Sequence, residues 1–498
     1  MAFDCIQFDS QKSNVINMIE LTIAEVHEGL KKKKFSSSEL TQAYLDRIEK
    51  TDDKLHSFVT ITKEEALKQA EKIDKEGKFG NPLAGIPMNL KDIISTAGIK
   101  TTACSKILEN FAPPYDADVT VRLKNAGTIL LGKTNTDQFA MGSSSETSYF
   151  GVTKNPWDLK RVAGGSSGGP AASVAADQTV FAIGTDTGGS IRQPASLCSC
   201  VGLKVTYGRV PRYGVISYAS SFDTIGPLTK TVEDAALVLN AIAGRSENDS
   251  TTPDEPVPDY TKFLKSDLKG VTIGIPKEYF EQGVEQETID IIYKGIEVLK
   301  KLGAKVIDVN LPLTKYAIPT YYILVKSEAS TNMARYDGVK YGHTADDAKE
   351  LLDIYVKSRS EGFGDEVKRT IMLGTYSLSA GYYDAFYLKA AKVRALMKQE
   401  YEKVFEKCDA LITPTSPFPA FKIGERMDDP LAMYAADTLT VPAGICGLPG
   451  LSVPAGFSKN GLPIGMQILG NQFKEGNILR VGHAFEQATE WHKRKPVF

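Results

Sequence analysis

Ser166 and Ser190 stand 24 positions apart, each set in glycine: Gly164-Gly165-Ser166-Ser167-Gly168-Gly169 in the first segment, Gly184-Thr185-Asp186-Thr187-Gly188-Gly189-Ser190-Ile191-Arg192 in the second. Glycine admits positive φ and lets the backbone approach a ligand closely, and successive N–H groups in such a turn can converge on one point. A bare Gly/Ser run is ordinarily a flexible linker. Here the residues between, Ala171 to Ala176 and Val180 to Ile183, are apolar enough for a buried helix followed by a buried strand. The glycine segments are therefore expected as tight loops embedded in a core. Such loops suit an acyl-transfer nucleophile, which needs an exposed Oγ, a proton acceptor and backbone donors for an oxyanion.

The rest of the chain predicts an α/β fold. Val271 to Ile275 and Val306 to Val309 read as strands around an amphipathic helix near Ile289 to Leu302, a βαβ unit with parallel pairing. Ala410-Leu411-Ile412, Leu451-Ser452-Val453 and Met466 to Leu469 read as further strands. Thr22 is expected to cap a helix from Ile23 to Lys34, and Ser37 or Ser38 one from Glu39 to Lys50. Ser246 to Tyr260 reads as a surface connection and Tyr316 to Glu406 as a helix-rich block.

Composition removes several function classes. A net charge of −2 leaves no global basic field for nucleic acid. Asp4, Asp9, Lys12 and Glu20 interrupt any secretory layout, and no window of about 18 uninterrupted apolar residues exists, so no membrane association is expected. The cysteines Cys5, Cys104, Cys198, Cys200, Cys408 and Cys446 are dispersed without a CxxC pair, which predicts reduced thiols and a cytoplasmic protein. Cys198 and Cys200 read as buried packing.

No obvious histidine base accompanies the serines. His27, His56, His343, His483 and His492 all lie far from them in sequence, and no HExxH or paired-ligand spacing suggests a metal. Lysine is the other base available. Lys91 ends the apolar run Ile86-Pro87-Met88-Asn89-Leu90, where burial would lower its pKa and leave a neutral amine able to take a serine proton. The plainer alternative is a strand-end lysine whose amine reaches water. Gly127 to Thr134 matches the phosphate-loop pattern GxxxxGK[ST] letter for letter. Its variable positions, Thr128-Ile129-Leu130-Leu131, read as a strand rather than a loop, so no nucleotide cradle is expected.

Lys91, Ser166 and Ser190, with the two glycine strings and Gly202-Leu203-Lys204, resemble the amidase signature family. The resemblance implies one large amidase domain over 1–498, with a core from about 19 to 490, and a mixed central β-sheet covered by helices on both faces. Within it, 84–230 would be the catalytic segment and 316–406 the substrate-pocket block. It implies a Ser-cis-Ser-Lys triad: Ser190 as nucleophile, Ser166 on a cis peptide as proton relay, Lys91 as base. The N–H groups of Thr187, Gly188, Gly189 and Ser190 would form the oxyanion hole.

Further strings, among them Phe139-Ala140-Met141-Gly142-Ser143-Ser144, Ala334-Arg335-Tyr336-Asp337-Gly338 and Gly381-Tyr382-Tyr383-Asp384-Ala385, are similar to the family's branch of tRNA-dependent amidotransferase A subunits. That branch implies a glutaminase in a heterotrimer with B and C subunits, feeding ammonia to the conversion of misacylated Glu-tRNA(Gln), with Asp-tRNA(Asn) open as a second substrate. The tRNA, ATP and Mg would be bound at the partner, and this chain would carry no cofactor. By family position Met141, Tyr321, Arg369 and Asp437 would hold glutamine, Arg369 on the α-carboxylate and Asp437 on the α-amine. Relatives tend to carry a basic residue immediately before the Ile-x-Leu-Gly string, where this chain has Thr370. The alternative within the family is a stand-alone amidase hydrolysing small amides with the same triad.

Overall fold

The structure is a computed structural model describing residues 18–281 and 283–498; Asp4, Cys5, Asp9 and Lys12 lie outside the described residues. The strands, in chain order, are β1 (Phe58–Ile61), β2 (Pro87–Lys91), β3 (Ile129–Thr134), β4 (Lys154–Asn155), β5 (Asp158–Val162), β6 (Phe181–Asp186), β7 (Val201–Lys204), β8 (Thr224–Thr229), β9 (Thr272–Pro276), β10 (Lys305–Val309), β11 (Ala410–Pro414), β12 (Gly450–Phe457) and β13 (Pro463–Leu469). β4 and β5 pair with each other, and the other 11 form one sheet in the order β1-β3-β2-β6-β8-β7-β12-β13-β11-β9-β10. The sheet is mixed, as expected: β3-β2-β6 and β11-β9-β10 pair in parallel, and the strands between them run antiparallel. Every residue of β2, β3, β6, β7, β8, β11 and β13 is buried. Successive side chains point to opposite faces, so both faces of the sheet are covered.

The βαβ unit is present as Thr272–Pro276, the helix Gln286–Lys301 and Lys305–Val309, and the helix buries Thr288, Ile292, Gly295, Ile296 and Leu299 at helical spacing. Thr22 caps the first helix through a capping box with Glu25, and that helix ends at Lys31. The second helix is capped by Ser36 rather than Ser37 or Ser38. Ser36 Oγ accepts the Glu39 N–H at 3.0 Å, while the Ser37 and Ser38 amides are taken by the Asp74 carboxylate. The helices Ala317–Met333, Leu351–Gly362, Asp365–Leu378 and Lys389–Phe405 make up the helix-rich block.

The first glycine segment runs into the helix Gly168–Ala175, buried along its whole length. Its alanines pack with Ala182, Ile191, Ala195, Leu228, Cys198 and Cys200, so the two cysteines are core residues as expected. The phosphate-loop look-alike is β3 itself. Lys133 Nζ donates to Thr101 Oγ1 at 2.8 Å and to the Ile94 carbonyl, which occupies it inside the protein.

Candidate active site

β2 and β6 are parallel neighbours, with Leu90 opposite Ile183, so their C-terminal ends share one edge of the sheet. Lys91 is the last residue of β2, and the turn carrying Ser190 follows β6 directly. In open α/β sheets this edge is where ligands bind. The Ser166 segment is drawn to the same place: Ser167 N–H donates to the Ser190 carbonyl at 3.0 Å, and Ser167 Oγ donates to the Thr185 carbonyl at 3.0 Å. A Cβ at Gly184 would lie 2.8 Å from Ser167 Oγ, so only glycine allows this approach. The Gly165–Ser166 peptide is cis.

Lys91 is fully buried, and its Nζ lies 2.7 Å from Ser166 Oγ, 3.0 Å from Ser167 Oγ and 3.0 Å from Thr185 Oγ1. Burial lowers its pKa to about 7, against the opposing pull of the Asp137, Asp186 and Asp223 carboxylates. At neutral pH the amine is thus divided between an ammonium that donates to the hydroxyls and a neutral form that can accept a hydroxyl proton.

Ser190 opens into a cavity of about 410 Å³ that also exposes Gly188, Ser143, Tyr321, Tyr322, Asp437 and Arg369. The turn before Ser190 is held from both sides. Asp186 and Arg192, both fully buried, pair through Nε–Oδ2 and Nη2–Oδ1 contacts of 2.9 Å each, and Arg192 Nη1 donates to Gln467 Oε1 at 2.7 Å. Thr187 Oγ1 donates to Asp223 at 2.8 Å, and the Tyr218 and Ala219 amides donate to the same carboxylate. A Cβ at Gly188 would meet the Tyr321 ring at 2.6 Å, so the turn and the cavity wall fit only with glycine there. Fixed N–H groups beside a nucleophile are the arrangement that stabilises an acyl-transfer oxyanion.

Asp437 sits across the cavity, accepting from Ser143 Oγ at 2.5 Å and Tyr322 Oη at 3.1 Å. Burial raises its pKa to about 7, opposed by those two hydrogen bonds. Of the residues expected from sequence to hold substrate, Tyr321, Arg369 and Asp437 line this cavity. Met141 does not: its side chain is buried in the hydrophobic core, and its neighbours Ala140, Gly142 and Ser143 take the lining positions. Thr370 is also buried, with Oγ1 unpartnered, and lies outside the lining. Sequence reading passed over Ser143, Tyr322, Glu366, Tyr434, Asp186 and Arg192. The last two had a signal, since an acid and a base flank the second glycine turn, and Ser143 lies in the Phe139–Ser144 string beside Met141; Tyr322, Glu366 and Tyr434 come from distant segments and had none. No histidine lines the cavity, and no group of three or more His, Cys, Asp or Glu able to hold a metal exists among the described residues. No helix among them is long and apolar enough to cross a membrane.

Comparison with known proteins identifies the family. The A subunit of glutamyl-tRNA(Gln) amidotransferase from Geotalea daltonii is 55% identical over 482 residues, covering 96% of this chain and 99% of the relative. Its counterpart from Thermoanaerobacter pseudethanolicus is 55% identical over 481 residues, 96% of this chain and 98% of the relative. Among solved structures, the A subunit of the Thermotoga maritima glutamyl-tRNA(Gln) amidotransferase superposes with a TM-score of 0.79 at 42% identity, covering 94% of this chain and 95% of that one. The native peptide amidase of Stenotrophomonas maltophilia superposes with a TM-score of 0.82 at 31% identity, covering 96% and 99%. Residues 39–479 match the amidase family profile, and the chain belongs to the amidase family.

Proposed function

We propose that this chain is the glutamine-hydrolysing A subunit of a tRNA-dependent amidotransferase. The observation that carries the chemistry is the buried Lys91–Ser166 contact, next to the Ser167–Ser190 hydrogen bond, with Ser190 and Asp437 lining one cavity. Neutral Lys91 takes a proton from Ser166 Oγ, which takes one from Ser190 Oγ as that oxygen attacks the side-chain amide carbon. The N–H groups of Thr187, Gly188, Gly189 and Ser190 receive the oxyanion. Collapse breaks the C–N bond, the proton returns through Ser166 to the leaving nitrogen, and ammonia departs. Water then hydrolyses the Ser190 ester to give glutamate. Asp437 receives the substrate ammonium and Arg369 its carboxylate.

The assignment to an amidotransferase follows the near full-length likeness to A subunits. In this reading residues 84–230 supply the catalytic machinery and 316–406 the far wall of a single unit working in the cytoplasm. B and C subunits bind the misacylated Glu-tRNA(Gln), ATP and Mg, and use the ammonia. The fold is shared with a peptide amidase at 31% identity, so a stand-alone amidase with the same machinery is the second reading, and the 55% identity to A subunits weighs against it. The test is ammonia release from glutamine by the chain purified with and without its B and C partners. Glutaminase activity that depends on Ser190 and rises with the partners and misacylated tRNA is expected. Activity that survives Ser190→Ala refutes the site, and efficient partner-independent hydrolysis of neutral amides selects the second reading.

A further inference from the structure

The distal wall of the cavity holds a buried cation that the chemistry above leaves without a task. Lys326, on the helix Ala317–Met333, has a side chain only 3% exposed, and its Nζ lies 2.6 Å from Tyr434 Oη and 3.3 Å from Glu366 Oε1. It packs against the rings of Tyr322 and Tyr434, 5.3 and 4.5 Å from their centroids. Tyr434 Oη in turn lies 3.0 Å from Glu366 Oε1. The other Glu366 oxygen, Oε2, is taken by Arg369 Nη1. Glu366, Arg369, Tyr322 and Tyr434 all line the cavity, whereas Lys326 sits directly behind them.

Two cations therefore share one carboxylate, and they differ in access. Lys326 is enclosed, while the Arg369 side chain is 38% exposed. Thr370, which follows Arg369 and is buried, adds no charge. Without Lys326, Arg369 and Glu366 would form a closed, neutral pair with little attraction for an anion. With it, Glu366 is balanced from behind and one positive charge remains on the cavity wall. Tyr322 links this wall to Asp437 by its 3.1 Å hydrogen bond, so the anionic and cationic ends of the cavity are joined by one side chain.

We propose that Lys326 is a positioning residue for substrate selection: by neutralising Glu366 from behind, it leaves the Arg369 guanidinium free to receive the carboxylate of an amino-acid amide. The inference rests on the glutamine reading above and extends it to a residue that touches no substrate. Burial draws the Lys326 pKa down, and the Glu366 carboxylate draws it back.

The test compares glutamine with glutaminamide, whose α-carboxylate is replaced by a neutral amide, using the full chain co-expressed with its B and C partners. Lys326→Met is expected to raise KM for glutamine by about 10-fold or more, the scale of losing one charge-assisted contact, and to narrow the preference for glutamine over glutaminamide by the same factor. Lys326→Arg keeps most of that preference. The decisive variant is the double change Lys326→Met with Glu366→Gln, which removes one charge of each sign and is expected to recover glutamine KM relative to Lys326→Met alone. Equal losses on both substrates, an unchanged KM, or a double variant worse than the single one would overturn the inference. If the wild-type complex takes glutaminamide as readily as glutamine, the glutamine reading falls together with it.

Discussion

Replacing Lys91 by methionine tests the base directly. A free lysine is neutral in only about one molecule in three thousand at pH 7, whereas a pKa of about 7 makes the neutral fraction about one half, a gain of order 10³ in the reactive form. kcat/KM for glutamine should therefore fall below pH 7 and level off above about pH 8. Asp437 titrates to about 7 as well and must be ionised to hold the substrate ammonium, so the acid limb should be steeper than a single protonation allows. Lys91→Met is expected to cost about 10²- to 10⁴-fold in kcat/KM and to remove one of the two protonations from that limb. The same shift has a consequence for folding. Because the folded pKa lies below the ordinary 10.5, the unfolded chain binds more protons between about pH 7 and 10.5, so this group destabilises the fold fully below 7 and ceases to do so as the pH rises through that window. Lys91→Met should then stabilise the protein by a few kcal/mol at pH 7 and by less at pH 10. The assays are ammonia release between pH 5.5 and 9 and thermal unfolding at the two pH values. A variant that keeps more than about one tenth of wild-type activity, or an acid limb with a midpoint near that of free lysine, would refute the role of Lys91.

Two further outcomes follow from the same wall and turn. Asp437→Asn removes the anion that Ser143 and Tyr322 orient, so KM for glutamine should rise about 10- to 100-fold, with kcat changed much less; a loss confined to kcat would place Asp437 elsewhere in the reaction. Arg192→Met leaves Asp186 buried without its partner and should cost about 3–5 kcal/mol in stability, read by denaturant unfolding, along with activity through the Ser190 turn; a variant as stable as wild type would show that the pair does not hold the turn.

The side of the cavity that holds Ser190 was partly legible because it is local. Lys91 closes a strand, and the two serines bracket one helix and one strand, but only the resemblance to the amidase signature family joined the three into one set. The opposite wall was not. Asp437 meets Ser143 across 294 positions, from two loop segments outside the helix-rich block, and Glu366 meets Lys326 across 40, from two helices packed within it; no periodicity encodes such contacts, because tertiary packing creates them. At Met141 position alone left the direction of the side chain open. Ala140 and Gly142 face the cavity, but the side chain between them is claimed by the core. Ser36 caps in place of Ser37 and Ser38, whose hydroxyls are turned to the Gly85 carbonyl and the Asp74 carboxylate.

The two buried lysines on neighbouring strands show what separates the proposed base from a strut. Lys91 and Lys133 are both fully buried, and burial lowers them almost alike, to about 7 and about 8. A lowered pKa therefore does not identify the reactive one. Leu90, not Lys91, is opposite Lys133 in the β2–β3 register, so the two amines project from opposite faces of the sheet. On one face Lys91 meets three hydroxyls, one of them on the serine tied to the Ser190 turn. On the other Lys133 meets a backbone carbonyl and two threonines with no opening to the cavity. The phosphate-loop letters fail for the same reason that Lys133 is structural: β3 pairs with β1 and β2 on its two edges, so its backbone N–H groups are committed to the sheet and are not available to cradle a phosphate. That commitment follows from the apolar run Ile129-Leu130-Leu131, which outweighs the match of single letters around it.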